Sequence, residues 1–144
     1  MANNNIKQGC GAIIFCTSTN RYLFLLRQSS KFPSTWGLVG GKIEPGETIE
    51  QGLTREIKEE LGGEIQGAKI LPIEKFTNAN SGFVYHTFLI KVEEEFVPAL
   101  NHEHVGFCWV PIEFAPTPLH PGVLRTLRFD KIKLKIQTHE KIKD

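Results

Sequence analysis

Apolar residues occur along most of this chain as short blocks separated by turn-forming clusters, and a single longer block repeats with a helical period. Residues 11–16 and 22–26 are apolar runs of strand length, and Thr17-Ser18-Thr19-Asn20-Arg21 between them has turn chemistry. Together they predict a hairpin. Residues 29–36 read as a loop, with Pro33 interrupting regular structure. A short strand over 37–39 runs into Gly40-Gly41. Ile49, Leu53, Ile57 and Leu61 then recur every four residues, which predicts a helix over 48–61, stopped by Gly62-Gly63. Residues 69–76 and 83–92 are strand candidates on either side of the turn-rich segment 77–82, and 107–110 is a further short strand. Pro111, Pro116, Pro118 and Pro121 punctuate the chain before a modest helical stretch over 123–129. In 131–144, Ile132, Leu134 and Ile136 alternate with lysines, the pattern of an edge strand whose charges discourage aggregation. Strands outnumber the separated helices, so the class is α/β or α+β, a mixed sheet covered by helices.

Composition narrows the function classes. A chain of 144 residues fits one domain with one sizeable core, and no repeat or low-complexity linker divides it. Hydrophobic residues at 40% and charged residues at 23% argue against disorder. A net charge of +1 gives no global pull toward nucleic acid or an anionic membrane. The apolar runs are too short to span a bilayer, and the polar start lacks an apolar leader. Cys10, Cys16 and Cys108 are odd in number and have no metal or redox spacing, so they read as core thiols in a reducing cytoplasm.

Candidate chemistry concentrates in residues 41–63. On a helix, Glu56, Glu59 and Glu60 fall within an arc of about 100°. Like charges at spacings of three and four destabilise a helix by roughly 0.2–0.5 kcal/mol per pair. The apolar stripe through Leu53 and Ile57 adjoins the arc, so part of the cluster sits near the core edge, where water screens it less. Three carboxylates so placed call for cations. Magnesium suits them, because it takes a few carboxylate oxygens and leaves the remaining positions to water and phosphate. Arg55 stands four residues before Glu59 and is a candidate to orient a carboxylate through a bidentate pair. Glu50 and Lys58 read as ordinary solvated positions.

The same segment resembles the Nudix box, the signature of the MutT-like Nudix hydrolases. Gly41, Glu47, Arg55, Glu56, Ile57, Glu59, Glu60 and Gly62 all fall in its register. Gly63 stands where the box ends in an aliphatic residue, and Ile65 is the candidate to take over that packing. Val39 stands where many members have proline. The resemblance implies an α/β/α sandwich with a mixed sheet, one Nudix domain over residues 1–144, and water attack on phosphorus in a nucleoside diphosphate linked to another group. It implies Glu56, Glu59 and Glu60 as metal ligands, Glu47 as an auxiliary ligand and the Gly40 carbonyl as a completing one. The ion would be Mg2+, with Mn2+ as the alternative.

Outside the box, Glu103 lies in Asn101-His102-Glu103-His104, which resembles a loop where many members place another acidic residue, so it is the candidate extra ligand or general base. Glu59, Glu60, Glu103 and Arg55 form the candidate catalytic set. His102 and His104 read as solvated neighbours. Arg27, Trp36, Lys42 and Phe107 are candidates for substrate binding, and Phe32 is a further aromatic that could stack on a base. The partner is thus a small nucleotide rather than a membrane or a nucleic acid, and the oligomeric state stays open, a homodimer included. A (d)NTP or nucleotide sugar is the simplest substrate. Dinucleoside polyphosphates, an RNA cap, or a non-catalytic nucleotide-sensing module are the alternatives. Markers of narrower substrate groups do not fit: Pro72 comes too early and Pro98 too late for ADP-ribose hydrolases, and Tyr85 is too far along for the dinucleoside polyphosphate group.

Overall fold

A computed structural model describes residues 7–65 and 68–142. Strands β1 (Gln8–Cys16) and β2 (Arg21–Arg27) form the expected antiparallel hairpin, with Phe15 opposite Tyr22. β1 is the axis of the sheet. Along one edge it pairs in parallel with β6 (Val84–Val92), in register from Gln8↔Val84 to Cys16↔Val92. Along the other it pairs with β2 and, at its start, with β4 (Val39–Lys42), where Gly11 faces Gly40. β5 (Ile70–Thr77) pairs antiparallel with β6 through an irregularity between Pro72 and Glu74. β3 (Trp36–Gly37) and β7 (His104–Val110) pair with β2. Among the described residues this makes a seven-stranded mixed sheet.

Both faces of β1 are buried, so its side chains alternate between two cores. Cys10, Ala12, Ile14 and Cys16 pack with Leu53, Ile57 and Leu61 of helix α1 (Ile49–Leu61). Ile13 and Phe15 pack on the opposite face with Val123 of α2 (Pro121–Arg128) and Ile136 of α3 (Asp130–Lys141). The layers are therefore α/β/α.

α1 starts where its capping chemistry dictates. Thr48 caps it, accepting from the Gln51 N–H, while the Gln51 side chain accepts from the Thr48 N–H. It ends on Gly62, whose φ of 83° is left-handed and whose N–H returns to the Lys58 carbonyl. A Cβ on Gly62 would stand 2.5 Å from the Ala99 Cβ, so this cap also requires glycine for space. Gly63 has open space around it and Ile65 packs against the first core, the substitution of roles expected from the sequence.

The main departures from expectation concern two strands and the tail. The 37–39 strand is interrupted at Leu38, and the 107–110 strand begins earlier, at His104. The tail, as far as Lys141, is helix α3 rather than an edge strand. Ile132 and Ile136 are four apart, so a pattern that alternates along a strand also marks one face of a helix. Ile136 is buried and Ile132 packs on the second core, whereas Leu134 remains 65% exposed. Polar contacts dock the helix: Tyr22 Oη meets Glu140, Lys135 Nζ donates to the Ile73 carbonyl at 3.1 Å, and Lys91 Nζ donates to the His139 carbonyl at 2.7 Å.

This packing makes a mutational contrast. Ile136→Ala should cost about 2–4 kcal/mol in urea denaturation, whereas Leu134→Ala should stay within roughly 0.5 kcal/mol. Equal, small effects would mean that α3 is not docked through Ile136.

Candidate active site

β4 and α1 meet at Gly40-Gly41, and their approach is too close for side chains. A Cβ on Gly41 would lie 2.5 Å from Glu56 Oε1. Gly40, at φ 155°, would press a Cβ into the Cys10 carbonyl, and its N–H donates to Glu60 Oε1 at 2.9 Å. Glu56 and Glu60 are thus seated against strand backbone and buried, at 8% and 1% exposure, while Glu59 faces solvent.

Arg55 ties this cluster to the preceding loop. Its Nε and Nη2 clasp the Glu47 carboxylate at 2.7 and 3.1 Å, and Nη1 donates to Glu56 Oε1 at 2.9 Å. The same Nη1 reaches both Glu59 oxygens at 3.4 Å, and Nη2 donates to the Lys42 carbonyl at 2.9 Å. One planar fork therefore holds helix, loop and strand in register. The Glu47 contact comes first among the influences that hold the Arg55 guanidinium firmly protonated, and the same contact holds Glu47 below the usual carboxylate range.

Glu60 and Glu56 shift the other way. Burial raises both; at Glu60 the Glu103 carboxyl, close enough to share a hydrogen bond, pushes further. Glu103 is brought there from β7's leading loop, where its N–H donates to Asn101 Oδ1 at 3.0 Å and its carbonyl accepts from the Gln28 N–H at 2.9 Å. Glu60 and Glu103 thus face each other across a space that demands a proton or a cation. Among the described residues no three carboxylates close into a ready cage, because Arg55 is bonded to Glu47, Glu56 and Glu59. The donor set itself, hard carboxylate oxygens beside a buried carboxyl pair, fits a divalent cation.

His104 is not the solvated neighbour expected. The β2–β7 ladder continues to Arg27↔His104, which carries the ring under the sheet, 4% exposed with neither ring nitrogen hydrogen-bonded. Burial, then the nearby Arg27, lowers its pKa. His102 is exposed as expected.

Beside Gly40 and Gly41 opens a cleft of about 1110 Å3. Arg27 and Lys42 line it, as the sequence suggested, together with Lys7 and Lys31. None of these four has a carboxylate partner among the described residues. Arg27 is fixed instead by Ser29 Oγ and the Lys31 carbonyl, at 2.9 and 3.0 Å. Arg125 also lines the cleft but is paired with Glu74 and lies over the Phe76 ring at 3.8 Å. Trp36 and Phe107 do not line it: Trp36 packs on the second core and Phe107 on the first. The aromatic surface comes from Phe32, set edge-on to His120 at 4.8 Å, and from Phe83 and Tyr85. Tyr85 lies in β6 and Phe83 just ahead of it, and the alternation of a strand extended back by one residue would have put both rings on one face.

Comparison with known proteins agrees with this geometry. The NUDIX domain model matches residues 7–129. The nucleoside triphosphatase NudI of Salmonella arizonae is 35% identical over 108 residues, 67% of this chain and 77% of that protein. Among solved structures, the ORF135 protein of E. coli is 26% identical at a TM-score of 0.67, covering 95% of this chain and 94% of that one. The E. coli dihydroneopterin triphosphate pyrophosphohydrolase, at 20% identity, shares the fold with a TM-score of 0.72 over 91% of this chain and 95% of its own. The chain belongs to the Nudix family. It is a hydrolase acting on pyrophosphate bonds, which sets aside the non-catalytic sensing module. Among the described residues no helix is long and apolar enough to cross a membrane.

The buried carboxyl sets a pH signature for metal-free protein. Glu60 is pushed from 4.5 up to about 9. The folded state therefore binds this proton more tightly than the unfolded state. Its stabilisation is complete below pH 4.5 and is lost as pH rises toward 9. Glu60→Gln, which keeps the shape without the charge, should flatten that loss between pH 7 and 9 in chelator-treated thermal melts. The wild type should then fall relative to the variant by several degrees. Parallel curves would show that Glu60 ionises normally.

Proposed function

We propose that this protein is a magnesium-dependent pyrophosphohydrolase of nucleoside triphosphates, acting on the phosphoanhydride chain. The observation that carries this reading is the junction at Gly40-Gly41, where a buried carboxyl cluster adjoins a cleft walled by aromatic rings and by four cationic side chains without a carboxylate partner among the described residues. Phosphates suit the cations, a base suits the rings, and the NudI relatives are nucleoside triphosphatases.

In this reading Glu56, Glu59 and Glu60 hold the metal, with Glu47 and the Gly40 carbonyl as auxiliary donors. Bound magnesium supplies neutralisation of phosphate charge and polarisation of the phosphoryl oxygens. Arg55 keeps Glu56 and Glu59 aimed by holding both against Glu47. Glu103 accepts the proton of the attacking water. Arg27 and Lys42 bind phosphate oxygens. Free Cys10, Cys16 and Cys108 suit a cytoplasmic setting, and we assign the whole of residues 1–144 to one catalytic domain.

The deciding experiment is a panel of ribo- and deoxyribonucleoside triphosphates, nucleotide sugars and dinucleoside polyphosphates incubated with Mg2+, reading phosphate and pyrophosphate release. Triphosphates should be the best substrates and chelation should abolish turnover. Undiminished turnover in excess chelator would remove the metal from the scheme.

Glu59→Gln and Glu60→Gln should each lower kcat by on the order of a hundredfold or more with the fold retained, and Lys58→Gln should leave it within about twofold. Glu103→Gln should depress kcat more than KM and flatten the acidic limb of the pH–rate profile. If Glu103→Gln alone has no effect, water is activated elsewhere and the carboxylate cluster keeps its role.

A further inference from the structure

The floor of the cleft contains a slot that the roles above do not use. β1 carries glycine at positions 9 and 11, which face the same side of the sheet. Beside them in parallel register runs β6, with Gly9 opposite Tyr85 and Gly11 opposite Thr87. A Cβ on Gly9 would stand 2.9 Å from Phe83 Cζ and 3.1 Å from Tyr85 Cδ1. A Cβ on Gly11 would be 3.1 Å from Tyr85 Cζ and would overlap the phenol oxygen itself. The Tyr85 ring therefore lies across β1 from Gly9 to Gly11, in space that those glycines leave open.

Its direction matters. Gly11 faces Gly40 on β4, and the Gly40 N–H is the group that holds Glu60. The ring starts at the aromatic end of the cleft, beside Phe83, and carries its hydroxyl toward the carboxylate end. That hydroxyl has no hydrogen-bond partner among the described residues, although the side chain lines the cleft. Burial, followed by the charges of Cys10 and Glu60, raises the phenol's pKa, so the group is a protonated donor. The side chain is half-buried and lines the open cleft, so this donor is free to bind a ligand that enters there. Arg27 lines the same cleft and its charge acts on the phenol. Lys42, opposite Gly9, stands at the other end of the ring, so cations flank the path of an anion past the hydroxyl.

We propose that Tyr85 is a substrate-binding residue whose hydroxyl donates a hydrogen bond to a phosphate oxygen, at the junction between the base-binding end of the cleft and the carboxylate cluster. This rests on the nucleotide reading above and adds the group that registers the phosphate chain against the cluster. Gly9 and Gly11 are the positions that make room for it.

The test is Tyr85→Phe in the full chain, which keeps the ring in its slot and removes only the hydroxyl. With Mg2+ and the best triphosphate of the panel, kcat/KM should fall about tenfold to a hundredfold, the loss of one hydrogen bond to a charged acceptor. The loss should be equal for the ribo and deoxyribo forms, and calorimetric binding of the α,β-methylene analogue should weaken by a similar factor. Thermal stability should be unchanged. Gly11→Ala, which displaces the hydroxyl, should reproduce the loss and add little in the Tyr85→Phe background. An active wild type with an equally active and equally tight-binding Tyr85→Phe variant overturns this proposal alone. A loss confined to the ribonucleotide moves the contact to the sugar and overturns it too. A wild type that neither binds nor hydrolyses any nucleotide overturns the nucleotide reading and Tyr85's role with it.

Discussion

The Arg55 guanidinium lies among more negative charge than it can neutralise, and much of the site's geometry follows from that imbalance. Glu44, Glu47, Glu56 and Glu59 all lie within 4 Å of its nitrogens. Two of the cluster's carboxylates, Glu56 and Glu60, are buried on a helix already strained by like charges at spacings of three and four. Removing one partner from such an arrangement leaves a buried charge uncompensated, which is strongly destabilising. Arg55 therefore holds the loop over 42–47 against α1. Glu60, which Arg55 does not reach, takes its hydrogen bond from Gly40 instead. The helix tolerates its charge pattern because Arg55 offsets Glu56 and Glu59 while the Gly40 N–H and burial hold Glu60.

The two faces of the sheet divide the work. α1 brings carboxylates to one face at Gly40 and Gly41, while β6, the 28–35 loop and α2 build the aromatic and cationic cleft. Glycines at 9, 11, 40 and 41 thin the sheet between them, allowing Glu56 to approach from one direction and Tyr85 from the other. Side chains at these positions would separate cleft from cluster.

Much of this was legible because it rests on local rules. α1 could be read from its period, from Gly62 and from the spacing of Glu56, Glu59 and Glu60, and the hairpin from two apolar runs around a turn. What escaped depends on pairings distant in sequence. His104 looked solvated because nothing near it shows that β7 extends far enough to oppose Arg27. Trp36 and Phe107 looked like candidates to stack, yet strand register decides which aromatics face the cleft, and it placed Tyr85 there, with Phe83 just ahead of β6 beside it. The tail misled for another reason: Ile132 and Ile136 satisfy both periods, and contact with the second core selects the helix.

The parallel pairing of β1 with β6 also bears on how the chain folds. Gln8 meets Val84 and Cys16 meets Val92, so every rung of that ladder closes a loop of 76 residues, the difference 84 − 8 or 92 − 16. Pairings so remote must meet the entropy of closing the loop before their contacts stabilise anything, which slows folding. α1 lies wholly inside the loop. It can form early from its own caps, but Gly40 reaches its place through β1, and until β1 is seated Glu60 has neither its backbone donor nor its burial. During synthesis the acidic helix emerges well before β6 is available to complete the sheet. Glu60 and Glu103 can meet only once β7 has paired with β2, so the carboxyl pair needs contacts that span most of the chain, whereas α1 needs only its own caps.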